Sequence, residues 1–289
     1  NHQSAITETV SANLSLRALL RDSALASSDA KVLMAYVLEK HYQLPRSALL
    51  SRDELELNDN ALEDWKKLES KRLQGEPVAY LIGKRGFHNI ELYVAPGVLI
   101  PRPETELLVE IGLQEIKRLN TLVSILDLGT GSGAIALAIA SDASQAIVTA
   151  TDQSTEALEI AKANAKQLKI ADRVQFLQGS WYEALEAGAS FDVILSNPPY
   201  IAYQDSHLNQ GDLRFEPLSA LTDHGTGLSC LESIISGAQL YLNPNGLIAV
   251  EHGFDQSEAV VSLMKLAGLR DIQTHVDLGG HYRVASGRK

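Results

Sequence analysis

From Glu104 onward, short apolar runs alternate with longer stretches of helical periodicity, and that alternation leaves few folds open. Strand-length runs fall at residues 124–127, 147–152, 174–177, 193–196 and 247–251. Helical stretches separate them, for example residues 154–168 and 228–242. Strands joined through helices lie parallel, with the helices covering both faces of the sheet. Residues 271–276 and 282–285 can add two last strands as a hairpin, which makes seven. The expected fold is α/β, with a Rossmann-like, mostly parallel sheet of seven strands. In such a sheet ligands bind beyond the carboxyl ends of the strands, where the strand order reverses.

The chain ahead of this region has a different pattern. Residues 1–75 read as a small helical domain. Ser28-Asp29 is placed to cap a helix carrying Val32, Leu33, Tyr36 and Val37, and Pro45 ends it. Asn58-Asp59-Asn60 is placed to cap another, with Leu62, Trp65 and Leu68 on one face. Residues 76–103 read as a β-hairpin linker, with short runs at 90–94 and 98–100 set off by Gly83, Gly86 and Gly97. Residues 104–289 form the second domain.

Charge restricts the partners. The net charge is -11, and residues 1–100 carry 12 Lys and Arg against 13 Asp and Glu, whereas residues 101–289 carry 13 against 23. A surface that tracks phosphates has the opposite sign, so direct nucleic-acid binding by the second half is not expected. No run of 18 apolar residues occurs, so no membrane span is expected. The start, Asn1-His2-Gln3-Ser4, is polar and has no look of a secretory leader. A single cysteine, Cys230, excludes an internal disulfide and fits a cytoplasmic protein; its apolar helix suggests a core position. The eight histidines are scattered, and no metal site is expected.

Two motifs carry chemistry. Asp127-Leu128-Gly129-Thr130-Gly131-Ser132-Gly133 follows the first apolar run and precedes a helix. Gly129, Gly131 and Gly133 let the backbone approach a ligand closely, and the helix N-terminus offers N–H groups to an anion. Asp152 ends the next strand, where a carboxylate can accept hydrogen bonds from both ribose hydroxyls. The glycine spacing differs from that of dinucleotide enzymes, and no P-loop lysine is present. A nucleoside without phosphates fits, with an amino-acid carboxylate near the loop: S-adenosylmethionine, leaving as S-adenosylhomocysteine. Trp181, after the third strand, is placed either to stack on the adenine or to fill the core.

The second motif, Asn197-Pro198-Pro199-Tyr200, leaves the fourth run directly. The Asn197 side-chain oxygen and the Pro198 carbonyl can each accept one N–H of a planar NH2 group. Two such acceptors orient the nitrogen lone pair toward an incoming methyl group and favour the tetrahedral nitrogen that develops. Tyr200 can pack on the flat face of the acceptor, and Pro198 and Pro199 stiffen the loop. Together the motifs point to methyl transfer to nitrogen.

The chain resembles the release factor glutamine methyltransferases, the HemK/PrmC family, over nearly its whole length. Besides the two motifs, the resemblance rests on Gly75-Glu76-Pro77-Val78-Ala79-Tyr80 with Gly83 and on Pro101-Arg102-Pro103-Glu104-Thr105-Glu106. Arg214-Phe215-Glu216-Pro217, Glu251-His252-Gly253, Gly280 and Arg283 extend it. His224-Gly225-Thr226-Gly227 and His281-Tyr282 depart from the family pattern. The resemblance implies a class I methyltransferase domain behind a small helical domain and hairpin. It implies transfer of a methyl group to the side-chain nitrogen of the glutamine in the Gly-Gly-Gln loop of class I peptide chain release factors. It also implies a cofactor site formed by Asp127, Leu128, Gly129, Thr130, Gly131, Asp152, Trp181 and Asn197. Asn197, Pro198, Pro199 and Tyr200 then hold the glutamine, and a monomer is expected. The alternatives are a glutamine methyltransferase for a ribosomal protein and an enzyme acting on adenine or guanine amino groups. A protein that only senses S-adenosylmethionine has no need of an acceptor pocket. Lys66, Lys67, Lys71 and Arg72 make a basic helical face, read either as solvated surface or as a contact for an acidic patch on the partner.

Overall fold

The computed structural model describes residues 14–289. Residues 1–13, including the polar start, lie outside the described residues. The chain divides into two compact units, with the boundary between Ile82 and Gly83.

The described part of the first unit is helical: α1 (Leu16–Asp22), α2 (Ser27–Tyr42), α3 (Ala48–Ser51), α4 (Asp59–Leu73) and α5 (Val78–Ile82). Its core joins Leu33, Met34, Val37 and Leu38 of α2 to Trp65 of α4, all with almost no exposure. Asn58 caps α4, its Oδ1 accepting from the Ala61 N–H at 2.9 Å. Ser28-Asp29 does not cap α2. That helix begins at Ser27 with Ala26 as an N-cap lacking a side-chain bond. Asp29 lies in the first turn instead, where a negative charge suits the helix dipole, and Arg72 Nε donates to it at 2.9 Å. The basic face is thus narrower than expected: Lys66 and Lys67 are exposed, whereas Arg72 is held by Asp29.

The second unit opens with a hairpin of β1 (Lys84–Phe87) and β2 (Ile90–Tyr93), joined at His88-Asn89. Phe87 and Leu92 sink into the core of this unit. The hairpin is therefore displaced from the sequence expectation: residues 98–100 form no strand. Pro101 and Pro103 lack the N–H groups a ladder needs. The Ile100 N–H goes instead to Glu216 Oε1 at 2.8 Å.

The large sheet contains β3 (Val123–Leu128), β4 (Ala146–Asp152), β5 (Val174–Gln178), β6 (Phe191–Ser196), β7 (Leu242–Glu251), β8 (Arg270–Val276) and β9 (Tyr282–Arg288). The strand order is β5-β4-β3-β6-β7-β9-β8. β3 to β7 run parallel, while β9 is antiparallel to both β7 and β8. The seven strands and the closing hairpin match the expectation.

Alternation within each strand divides the core in two. Ile125, Val193, Leu195 and Ala249 face α6 (Glu106–Leu119), α7 (Ala134–Asp142) and α8 (Thr155–Gln167). Leu126, Leu128, Ile194, Ile248 and Val250 face α10 (Ser229–Tyr241) and α11 (Ser257–Leu266). A short helix, α9 (Leu218–Leu221), lies in the connection after β6. A central parallel strand buried on both faces reads as a continuous apolar run, which is why these strands are visible in the sequence.

One ion pair ties the last strand to the first helix of this unit. Arg288 Nη1 and Nη2 each donate to Glu115 at 2.8 Å, and Arg118 adds a contact at 2.7 Å. Burial opposes the charge on Glu115, but the two guanidinium groups outweigh it and hold the carboxyl down at about 2. An unfolded glutamate titrates near ~4.3. The stabilisation is therefore present above that value and is lost as pH falls toward 2. Glu115→Gln should cost on the order of 2–3 kcal/mol at neutral pH. Urea titrations should find the gap closing in strong acid; an equal gap at all pH values would contradict this reading.

Candidate active site

The strand order reverses between β3 and β6, and the two motifs leave these neighbouring strands at the same level. Leu128 is paired with Ser196, and the Ser196 hydroxyl donates to the Leu128 carbonyl at 2.7 Å. The glycine loop and the Asn197 loop therefore border one cavity of about 310 Å³. That volume is at the small end of the roughly 300–1,000 Å³ typical of small-molecule sites.

Gly129, Thr130, Gly131, Asp152, Trp181 and Asn197 all line this cavity, as does Pro199. Gly129 and Gly131 have φ of 71° and 57°, the left-handed region that favours glycine. A Cβ on Gly129 would lie 3.0 Å from the Trp181 ring, so the indole packs directly on the loop. Trp181 borders the cavity and also packs on the core beside Tyr182. At Gly131 nothing lies within 4 Å of an added Cβ, and the backbone is open to a ligand.

Asp127, Leu128 and Gly133 stand behind the cavity wall. Asp127 is fully buried; its Oδ2 accepts from Thr130 Oγ1 at 2.7 Å and from the Ala136 N–H at 3.2 Å. Burial pushes its carboxyl up to about 7. Its Oδ1 is buried with no partner among the described residues. Leu128 lies in the core, and Gly133 caps α7. These residues shape the loop from beneath.

Asp152 is engaged already: Oδ2 accepts from the Gly131 N–H and Oδ1 from the Ser154 N–H, both at 2.9 Å. Each carboxylate oxygen keeps a lone pair for a further donor. Burial raises its pKa, so further donors on the carboxylate are favourable. An open glycine backbone, an aromatic face and a half-satisfied, half-buried acid form a set that fits a nucleoside bearing ribose hydroxyls.

Around the acceptor motif, Pro198 is buried and Tyr200 is half-buried; neither contributes to the cavity wall among the described residues. The Tyr200 hydroxyl donates to Glu251 Oε1 at 3.1 Å, and burial raises its pKa. Asn197 Nδ2 donates to Thr105 Oγ1 at 3.3 Å.

The run Pro103-Glu104-Thr105-Glu106 suits either closure of the site or a cap on the next helix, whereas nothing in the sequence gives Val98, Leu99 or Pro101 a role. Val98, Leu99, Pro101 and Thr105 line the cavity. Glu216, its side chain fully buried, accepts from the Ile100 N–H and pairs with Arg102, fastening this wall to the segment after Tyr200. The signal available was the run from Pro101 to Glu106, whose prolines and charges suit neither strand nor solvated loop. Cys230 is a correction: it is half-buried at the cavity wall, not in the core, and burial followed by the charge of Asp223 raises its thiol pKa.

Comparison with known proteins accounts for both units. Residues 14–83 match the family model for the PrmC N-terminal domain, and residues 104–214 match the methyltransferase small domain. The release factor glutamine methyltransferase of Bordetella pertussis is 47% identical over 272 residues, covering 94% of this chain and 98% of that one. The chain belongs to the release factor glutamine methyltransferases. The relative of the same description from Burkholderia pseudomallei is 43% identical, covering 93% of this chain and 94% of its own. Among solved structures, a methyltransferase from Pyrococcus furiosus has a TM-score of 0.52 at 18% identity, covering 78% of this enzyme and 98% of that chain. A 16S rRNA N2 methyltransferase of T. Thermophilus, solved with AdoMet and guanosine, has a TM-score of 0.53 at 20% identity, covering 71% and 49%. At such identities these two structures establish the fold alone. The enzyme is an S-adenosylmethionine-dependent methyltransferase with a Rossmann-like domain of the class I type.

Proposed function

We propose that this enzyme methylates the side-chain nitrogen N5 of the glutamine in the Gly-Gly-Gln loop of class I peptide chain release factors. The observation that carries the chemistry is the pairing of Leu128 with Ser196, which sets the glycine loop and Asn197 on one cavity. The identity to release factor glutamine methyltransferases over 94% of the chain supports the substrate.

S-adenosylmethionine, when bound, supplies an electrophilic methyl group on a sulfonium. Asp152 would take the ribose hydroxyls, Trp181 would cover the base, and Gly129, Thr130 and Gly131 would present their backbone to the amino-acid end. Asn197 Oδ1 and the Pro198 carbonyl would each accept one N–H of the glutamine amide and so orient its nitrogen lone pair. Pro199, at the cavity wall, would confine the flat amide, and Tyr200 would support the loop from behind through its bond to Glu251. No general base is required, because the proton leaves after the nitrogen has become cationic.

An amino group on adenine or guanine is a planar NH2 of the same kind. The excess of acidic residues over 101–289, 23 against 13 basic, disfavours a nucleic-acid backbone there. The enzyme acts as a monomer in the cytoplasm. No helix among the described residues is long and apolar enough to cross a membrane.

Labelled S-adenosylmethionine should mark an unmodified class I release factor and leave a Gln→Ala version of its Gly-Gly-Gln motif unmarked. Label on a ribosomal protein or on RNA alone would overturn the substrate while leaving the methyl-donor site intact. The exposed pair Lys66 and Lys67 is assigned to an acidic patch on the release factor. Reversing both charges should raise KM for the release factor about 3- to 10-fold at low salt. An unchanged KM would contradict that assignment.

A further inference from the structure

A buried carboxylate stands behind the acceptor motif: it bonds Tyr200 directly and connects to Asn197 through Thr105. Glu251 ends β7 and is 2% exposed. Its Oε2 accepts from Thr105 Oγ1 at 2.7 Å, and its Oε1 accepts from the Tyr200 hydroxyl at 3.1 Å. Thr105, at the cavity wall, accepts in turn from Asn197 Nδ2 at 3.3 Å.

The directions in this relay follow from the inventory of protons. A carboxylate only accepts, so the single hydroxyl proton of Thr105 is committed to Glu251. The Thr105 oxygen then offers only lone pairs to Asn197, and the NH2 end of the amide must face it. The amide oxygen is turned the other way. Shape alone does not choose between the two ends of an asparagine amide. The choice is made here by Glu251, two hydrogen bonds away.

We infer that Glu251 and Thr105 are positioning residues: they fix the rotation of the Asn197 amide so that its oxygen meets the acceptor NH2, and Glu251 also anchors the Tyr200 hydroxyl behind the same motif. This rests on the reading that Asn197 grips the acceptor amide. A buried carboxylate is a costly way to fill space, and an apolar side chain would do so without the desolvation. Burial pushes Glu251 up to about 7; Thr105 and Tyr200 work against that, Glu104 adds to it and Arg283 opposes it. Arg283 itself faces Asp277, with 3.2 Å between Nε and Oδ2.

Glu251→Gln tests the relay at constant volume. The new amide can donate to Thr105, which frees the Thr105 proton for Asn197 Oδ1 and reverses the asparagine. At about pH 8.5, where Glu251 is ionised, kcat should fall about 30-fold, with KM for S-adenosylmethionine within about threefold. Thermal unfolding should move by no more than about 4 °C. In an Asn197→Ala background the same change should add less than about threefold, because its effect passes through Asn197. Turnover within about threefold of wild type, or a full additional loss in that background, overturns the inference. If Glu251→Gln does not fold, Thr105→Ser against Thr105→Val decides: serine should keep turnover and valine should lose it, and equal rates overturn the relay. An Asn197→Ala enzyme that still turns over removes the reading of Asn197 itself, a separate failure.

Discussion

Asn197→Ala should lower kcat by about 10²–10³-fold, the range seen when one preorganised hydrogen-bonding group is taken from a reacting centre. Among the described residues the side chain makes a single long hydrogen bond, to Thr105 at 3.3 Å, so little stability depends on it. One such bond contributes about 1 kcal/mol, or roughly 2–4 °C in a domain of this size. The variant should fold and bind S-adenosylmethionine with affinity reduced by no more than about tenfold. A delocalised amide nitrogen is a weak nucleophile, and without Oδ1 one of the two acceptors that orient its lone pair is gone. Single-turnover rates at saturating release factor measure this step directly. A rate within about threefold of wild type would mean that the acceptor is held elsewhere.

Asp152→Ala should act on the other substrate. The carboxylate braces Gly131 and Ser154 with 2.9 Å hydrogen bonds and keeps lone pairs toward the cavity. Hydrogen bonds to a charged group contribute about 1.5–3 kcal/mol each. Loss of two ribose contacts should weaken S-adenosylmethionine binding about 10²–10³-fold. The loop also loses the group that pins its Gly131 N–H, which adds to the effect. Titration calorimetry reads the dissociation constant, and kcat at saturating donor should change far less. An unchanged dissociation constant would remove Asp152 from the donor site.

The parts of this fold that sequence reveals are those where one physical demand dominates. Val193, Ile194 and Leu195 are fully buried because β6 is covered on both faces, so the run is continuous and easily read. β7 is legible in the sequence only from Leu247, because Asn243-Pro244-Asn245-Gly246 near its start have the composition of a turn. The hairpin was displaced because Val98 and Ile100 are apolar for burial, not for pairing, and Glu216 takes the Ile100 N–H from 116 residues away. The Ser28-Asp29 cap failed because Asp29 has a better partner in Arg72 on another helix.

The site divides in the same way. The glycine loop and the Asn197 motif are local, and their spacing carries their chemistry. Thr105 and Glu251 are 146 residues apart in sequence and meet only through the sheet order, so no local pattern assigns them. Cys230 lies on an amphipathic helix, whose periodicity identifies the buried face without saying that its edge borders a cavity.

The most direct test of the whole account is to locate the methyl group by tandem mass spectrometry. The unmodified class I release factor would be incubated with S-adenosylmethionine and either wild-type or Asn197→Ala enzyme. One methyl group on the side-chain nitrogen of the Gly-Gly-Gln glutamine, formed by the wild type and absent with the variant, is the predicted result. A methyl group on any other residue, or equal modification by both enzymes, would contradict it.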